Sequence, residues 1–113
     1  MSFNMNRLLQ QAQKAQQEMT RVREELAEKR VVASSGGGAV RVTANGHQEI
    51  IAVEISSAAL QDGETEMLQD MVLAAVNDAL RQSRQLAREE MAKVTGGMGF
   101  NLPTDLGDLS SLF

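Results

Sequence analysis

The chain has 113 residues, 42% hydrophobic and 23% charged, with nine Gly and one Pro, the size and makeup of one soluble domain. Zero Cys excludes disulfides, thiolate metal sites and cysteine nucleophiles, and a single His excludes a two-histidine zinc site and weakens any Ser-His arrangement. Three Phe without Trp or Tyr argue against stacking of successive single-stranded bases, and a net charge of -4 confines any nucleic-acid contact to local basic patches.

No run approaches the ~18 apolar residues of a membrane span. The opening MSFNMNRLLQQAQKAQQEM lacks the apolar core and cleavage pattern of an export signal, so a cytoplasmic location is expected. From Met5 the apolar positions fall at Leu8, Ala12, Ala15, Met19, Val22 and Leu26, alternating steps of three and four. That is a heptad seam, and with no Gly or Pro before Gly36 it predicts one helix over residues 3–30.

The period then changes to two. Val31 and Val32 lead into Ser34-Ser35-Gly36-Gly37-Gly38, and Val40, Val42 and Ala44 alternate with Arg41 and Thr43 up to Asn45-Gly46, a strong hairpin signal. With Asn45 and Gly46 as the two turn residues, a return strand over 47–55 sets Val40 opposite Ile51 and Val42 opposite Glu49. Val40, Val42, Ile51, Val53 and Ile55 then share one face. A first strand near 31–35 completes a three-stranded antiparallel meander.

After a connection over 56–63, helical spacing returns at Leu68, Val72, Ala75, Val76, Ala79, Leu80, Leu86 and Ala87, predicting a second long helix over 64–94 that stops at Thr95-Gly96-Gly97. The remainder is rich in turn formers and lacks periodicity, so it reads as a mobile tail. The division is thus a single domain over 1–95 and a tail over 96–113, in an α+β, α-β-β-β-α order. Strands of about seven residues span only ~23 Å, much less than either helix, so both helices overhang the sheet. A thin core and an overhanging seam predict a symmetric homodimer, the seam buried against a helix of the same or a second chain.

Arg7, Lys14 and Arg21 recur every seven residues on one stripe of the first helix; Arg7 has no acid three or four residues away, whereas Lys14 and Arg21 have Glu18 and Glu25. Arg81, Arg84 and Arg88 form a second stripe, and Arg84 and Arg88 lack a carboxylate at either spacing, so a polyanion would relieve their repulsion. Residues 1–23 carry a local +3 and residues 81–93 a local +2, which leaves -9 for the rest of a chain of total charge -4. Basic stripes on an acidic body are expected. The triple glycine lacks a following Gly-Lys-Ser/Thr and reads as a turn, His47 as an exposed strand residue, and Glu24-Glu25 and Glu89-Glu90 as solvated faces. No acid/base pair converges, so no enzyme chemistry is expected.

The order of motifs resembles the YbaB/EbfC family of bacterial nucleoid-associated proteins. The likeness runs through Leu9-Gln10-Gln11-Ala12-Gln13-Lys14-Ala15-Gln16-Gln17-Glu18-Met19, Gly38-Ala39-Val40-Arg41-Val42, Asn45-Gly46 and Val53-Glu54-Ile55. It continues through Met67-Leu68-Gln69-Asp70-Met71-Val72-Leu73-Ala74-Ala75-Val76-Asn77-Asp78-Ala79-Leu80-Arg81, Glu90-Met91 and Gly96-Gly97-Met98. The resemblance implies a tweezer-like homodimer with two long projecting helices per chain, binding, bending or compacting duplex DNA with weak sequence preference in the nucleoid. It also implies no catalysis, no cofactor, no membrane and no small-molecule substrate. By location and charge, DNA contacts fall to Arg7, Lys14, Arg21, Arg81, Arg84 and Arg88. The alternative reading is a homodimeric adapter for replication or repair machinery that does not itself touch DNA.

Overall fold

Asn4 begins the first helix by lending its side-chain oxygen to the Arg7 amide, 3.2 Å away, which satisfies one of the donors a helix start leaves open. Helix α1 (Met5–Glu28) then runs until Lys29 turns extended and its amide closes on the Glu25 and Leu26 carbonyls. The computed structural model describes residues 4–61 and 63–97, so the tail expected beyond 95 lies, from residue 98, outside the described residues.

Strand β1 (Arg30–Ser35) follows, then a short 3-10 turn over Gly36–Gly38, where all three glycines have positive φ. Such a run is open to glycine and strained for any other residue. Strands β2 (Val40–Asn45) and β3 (Ile50–Ile55) complete an antiparallel meander in the order β1-β2-β3. A one-turn helix α2 (Ser57–Gln61), absent from the sequence expectation, occupies part of the connection, with Ser56 Oγ accepting from the Ala59 amide. Helix α3 (Thr65–Gly97) is the longest element. Its 33 residues give a rod of roughly 50 Å, within a molecule of 74 × 27 × 17 Å.

The hairpin register departs from expectation. Val40 pairs with Ile55 and Val42 with Val53, not with Ile51 and Glu49. The loop has three residues, not two: the Asn45 amide donates to the Glu49 carbonyl at 3.0 Å, and Gln48 adopts a φ of 63°. This is the turn plus left-handed residue of a three-residue hairpin. Asn45 Oδ1 favours it by accepting from the His47 and Glu49 amides at 2.9 and 3.1 Å. The longer loop displaces the pairing by three positions, and a bulge between Thr43 and Ala44 adds a fourth. Beyond the bulge the even displacement preserves the alternation, so Val40, Val42, Val53 and Ile55 share a face as expected, whereas Ile51, between the pairs Thr43–Ala52 and Ala44–Ile50, is the unpaired residue of the bulge.

Two cores result, and α3 joins them. Its first half presents Ala75 and Ala79 to Ala33, Val40, Val42 and Ala44, with Leu68, Met71, Val72 and Val76 around them. Alanines on both surfaces let the helix lie close to the sheet, and each fully buried valine contributes about 1.5–3 kcal/mol. Its last turns pack Val94, with Leu86, Ala87 and Met91, against Met19, Val22 and Leu26 of α1. The second half of the seam is therefore buried within the chain itself, while Met5 and Leu8 remain 55% and 48% exposed. Helix α3 covers β1 and β2 more than β3, and so Val53 stays 45% exposed on the apolar face, with Ile51 at the bulge 48% exposed.

The hairpin turn locks these parts together. The Gly46 amide donates to the Leu26 carbonyl at 2.8 Å, and His47 Nε2 donates to the Arg23 carbonyl at 2.6 Å. On the other side Ser83, fully buried on α3, donates to the Asn45 carbonyl at 2.6 Å and accepts from the Gln48 amide at 2.9 Å. His47 is thus a turn residue tied to α1, not a strand residue. Glu90 likewise departs from its expected solvated face: its side chain is mostly covered and reaches Lys29 of α1 at 2.8 Å and Lys93 at 3.2 Å.

Candidate nucleic-acid interface

Helix α1 leaves the body as an arm, because residues 4–14 are all exposed. On it Arg7 and Lys14 face solvent, and neither side chain has a hydrogen-bond or ion-pair partner among the described residues. Asparagine and glutamine fill the intervening positions, with no acid before Glu18. The arm is cationic for that reason alone.

Arg21 differs. It lies between Glu18 and Glu25, with nitrogen–oxygen distances of 2.6 and 2.8 Å. The hydrogen bond from Arg21, then its charge, holds the Glu18 carboxyl below the usual carboxylate range, and the two carboxylates raise Arg21 in turn. All three groups are about half exposed, so the arrangement is worth little in water and yields cheaply to a competing anion.

On α3, Arg84 and Arg88 are exposed and without a side-chain partner among the described residues, whereas Arg81 pairs with Asp78 one turn earlier. Asp78 also accepts from Gln82 at 3.1 Å. At about 100° per residue the three arginines fall within a 60° sector, roughly opposite Val72, Ala75 and Ala79. The stripe therefore faces away from the sheet, as the packing of α3 dictates. Of the six candidates, Arg7, Lys14, Arg84 and Arg88 are free among the described residues, and Arg21 and Arg81 are paired with acids of their own helix, Glu18 and Glu25 for the one and Asp78 for the other. Sequence reasoning passed over Arg23, also exposed and unpartnered among the described residues, although it had contributed to the local charge excess. Arg41 is exposed too, but Glu54 lies across from it in the sheet.

No helix among the described residues is long and apolar enough to cross a membrane, and no group of acids and histidine there converges as a metal site. The family model of the YbaB/EbfC DNA-binding family matches residues 1–98. The chain belongs to that family. Among its relatives, a nucleoid-associated protein of Pelotomaculum thermopropionicum is 47% identical over 98 residues, covering 87% of this chain and 93% of the relative. Another, from Moorella thermoacetica, is 52% identical over 95 residues, covering 84% and 91%. In structure the chain resembles the uncharacterized protein HP0035 of Helicobacter pylori, with a TM-score of 0.69, 23% identity, and coverage of 80% of this chain and 95% of that one. That likeness establishes the α+β fold.

Proposed function

We propose that this YbaB/EbfC family member is a nucleoid-associated protein that binds duplex DNA as a homodimer, without catalysis, through the cation stripes of α1 and α3. The observation that carries the proposal is the pair Arg84 and Arg88, exposed and uncompensated among the described residues, on the side of α3 turned away from its core. Mutual repulsion in such a pair is relieved by phosphate. On α1, Arg7 and Lys14 lie about 10 Å apart along the axis, the rise of roughly three base pairs. Arg21 and Arg81 join after exchanging a carboxylate for a phosphate. With no aromatic wedge on either helix, bending would come from phosphate neutralisation and clamp geometry.

Ile51 and Val53 support the dimer. Val53 continues the buried face of the sheet beyond the cover that α3 provides, Ile51 lies exposed near it at the bulge, and a second copy would remove both from water. Doubling the chain doubles the stripes.

The test is a salt series of duplex binding, run beside sedimentation. Log affinity should fall linearly with log salt, by about 0.9 for each phosphate contacted. In a dimer, Arg84→Ala with Arg88→Ala removes four cations and should reduce that slope by about 3.6 while leaving mass and melting unchanged. Association that ignores salt, or no binding to duplex DNA at low salt, would overturn the proposal in favour of a protein adapter.

A further inference from the structure

On the DNA-binding reading above, and resting on it, we propose that the α1 arm enters the major groove and reads adenine there. The readers are a row of side-chain amides, Gln10 and Gln13 foremost, which add a base preference to the binding of phosphate.

Asn6, Gln10, Gln13 and Gln17 recur at steps of four, three and four along α1. At about 100° per residue they fall within a 60° sector, and Arg7, Lys14 and Arg21 form a parallel row centred roughly 70° away. All four amides are exposed, and none has a side-chain hydrogen bond among the described residues. Lysine and glutamate would keep a solvated helix face equally well and add ion pairs. Residues 4–17 nonetheless hold a single Lys and no acid.

The packing of α1 decides where the two rows point. Met19, Val22 and Leu26 set the inner side of the helix against α3. The amide row lies roughly opposite those residues, so it forms the outermost ridge of the helix, with the cations on one flank. Residues 4–14, all exposed, make an arm of about 16 Å. The major groove, ~12 Å wide, admits such a helix. Once the arm is seated, its outer ridge meets the base edges and its flank meets one phosphate wall, the order in which amides and cations stand on α1.

An amide side chain donates through its NH2 and accepts through its oxygen. Adenine presents the matching pair, the N7 acceptor beside the N6 donor, whereas guanine presents two acceptors and leaves the amide oxygen unpaired. Gln10 and Gln13 lie about 4.5 Å apart along the axis, close to the ~3.4 Å rise of one base pair, so each meets its own base.

The full-length protein is titrated at fixed salt with three duplexes: one of mixed sequence with adenines but no A-tract, the same duplex with 7-deazaadenine, and one of G·C pairs alone. The 7-deaza base lacks the N7 acceptor and leaves phosphates and minor groove unchanged. The first duplex should bind about tenfold tighter than the other two. Gln10→Ala with Gln13→Ala should erase that ratio and keep the salt slope and helix content, since alanine is the better helix former. Arg7→Ala with Lys14→Ala should do the reverse, lowering affinity and slope on every duplex and keeping the ratio. Equal binding of the three duplexes would overturn the base reading and leave DNA binding standing. So would a preference that survives either the 7-deaza base or the glutamine variant. No binding to any duplex at low salt would overturn both.

Discussion

Replacing Gly46 with Ala asks whether the hairpin turn holds α1 to the body. A Cβ there would lie 2.7 Å from both the carbonyl oxygen and Cδ2 of Leu26, and 2.8 Å from its Cβ. A side-chain carbon can rotate aside, but a helix carbonyl cannot, so the end of α1 must retreat from the turn. That retreat weakens the 2.8 Å bond from the Gly46 amide to Leu26. One such bond is worth about 1 kcal/mol net, and overpacking adds about 1–3 kcal/mol. Against these, Ala restricts the unfolded chain and by itself stabilises by about 0.4–1 kcal/mol. Gly46 is not among the positive-φ residues, so that favourable contribution applies in full. The net expectation is a loss of about 1–3 kcal/mol, or a fall of roughly 0.7–2 M in the urea midpoint at a slope near 1.5 kcal/mol/M. Far-UV circular dichroism is the suitable probe, because the chain has no Trp or Tyr. Protein concentration is held constant, since stability of a dimer depends on it. A midpoint that stays or rises would refute the reasoning, because only the unfolded-chain effect would then be operating.

Ser83→Ala removes one bond to the Asn45 carbonyl and one to the Gln48 amide at a fully buried site, and should cost about 2 kcal/mol in the same urea assay; a change under about 0.5 kcal/mol would deny Ser83 its bridging role. Glu90 is held below the ordinary carboxylate range by hydrogen bonds from Lys29 and then Lys93. Its contribution is therefore complete above the unfolded-state value of roughly 4.3 and fades as pH falls through its lower folded-state value. The advantage of the native protein over Glu90→Gln in urea midpoint should be constant near neutrality and shrink in acid; a gap that widens in acid contradicts the assignment. Ile51→Asp with Val53→Asp should yield a monomer by sedimentation with an unchanged dichroism spectrum, because both side chains are half exposed in the single chain. A dimer that survives would move the interface elsewhere.

Periodicity located the two long helices and the meander, because the core-facing side of an element is a property of nearby residues in the chain. The Arg84 and Arg88 stripe was legible for the same reason: absence of an acid at three or four residues is a local fact. Arg81 was open to the same reading, since Asp78 lies three residues before it. His47 and Glu90 were not, as their partners Arg23 and Lys29 are distant in sequence and meet them only through the packing of the turn and of α3 on α1.

From its residues alone, the chain determines the order of its elements, the apolar face of its sheet and the candidate cations, all set by spacings of two, three or four residues. Tertiary structure decided the strand register, through a three-residue loop and a bulge whose combined displacement is even. It also decided which half of the α1 seam is buried, since only Met19 onward meets α3. Such outcomes depend on where a carbonyl, a hydroxyl or a helix end arrives in space, and no period along the chain encodes that arrival.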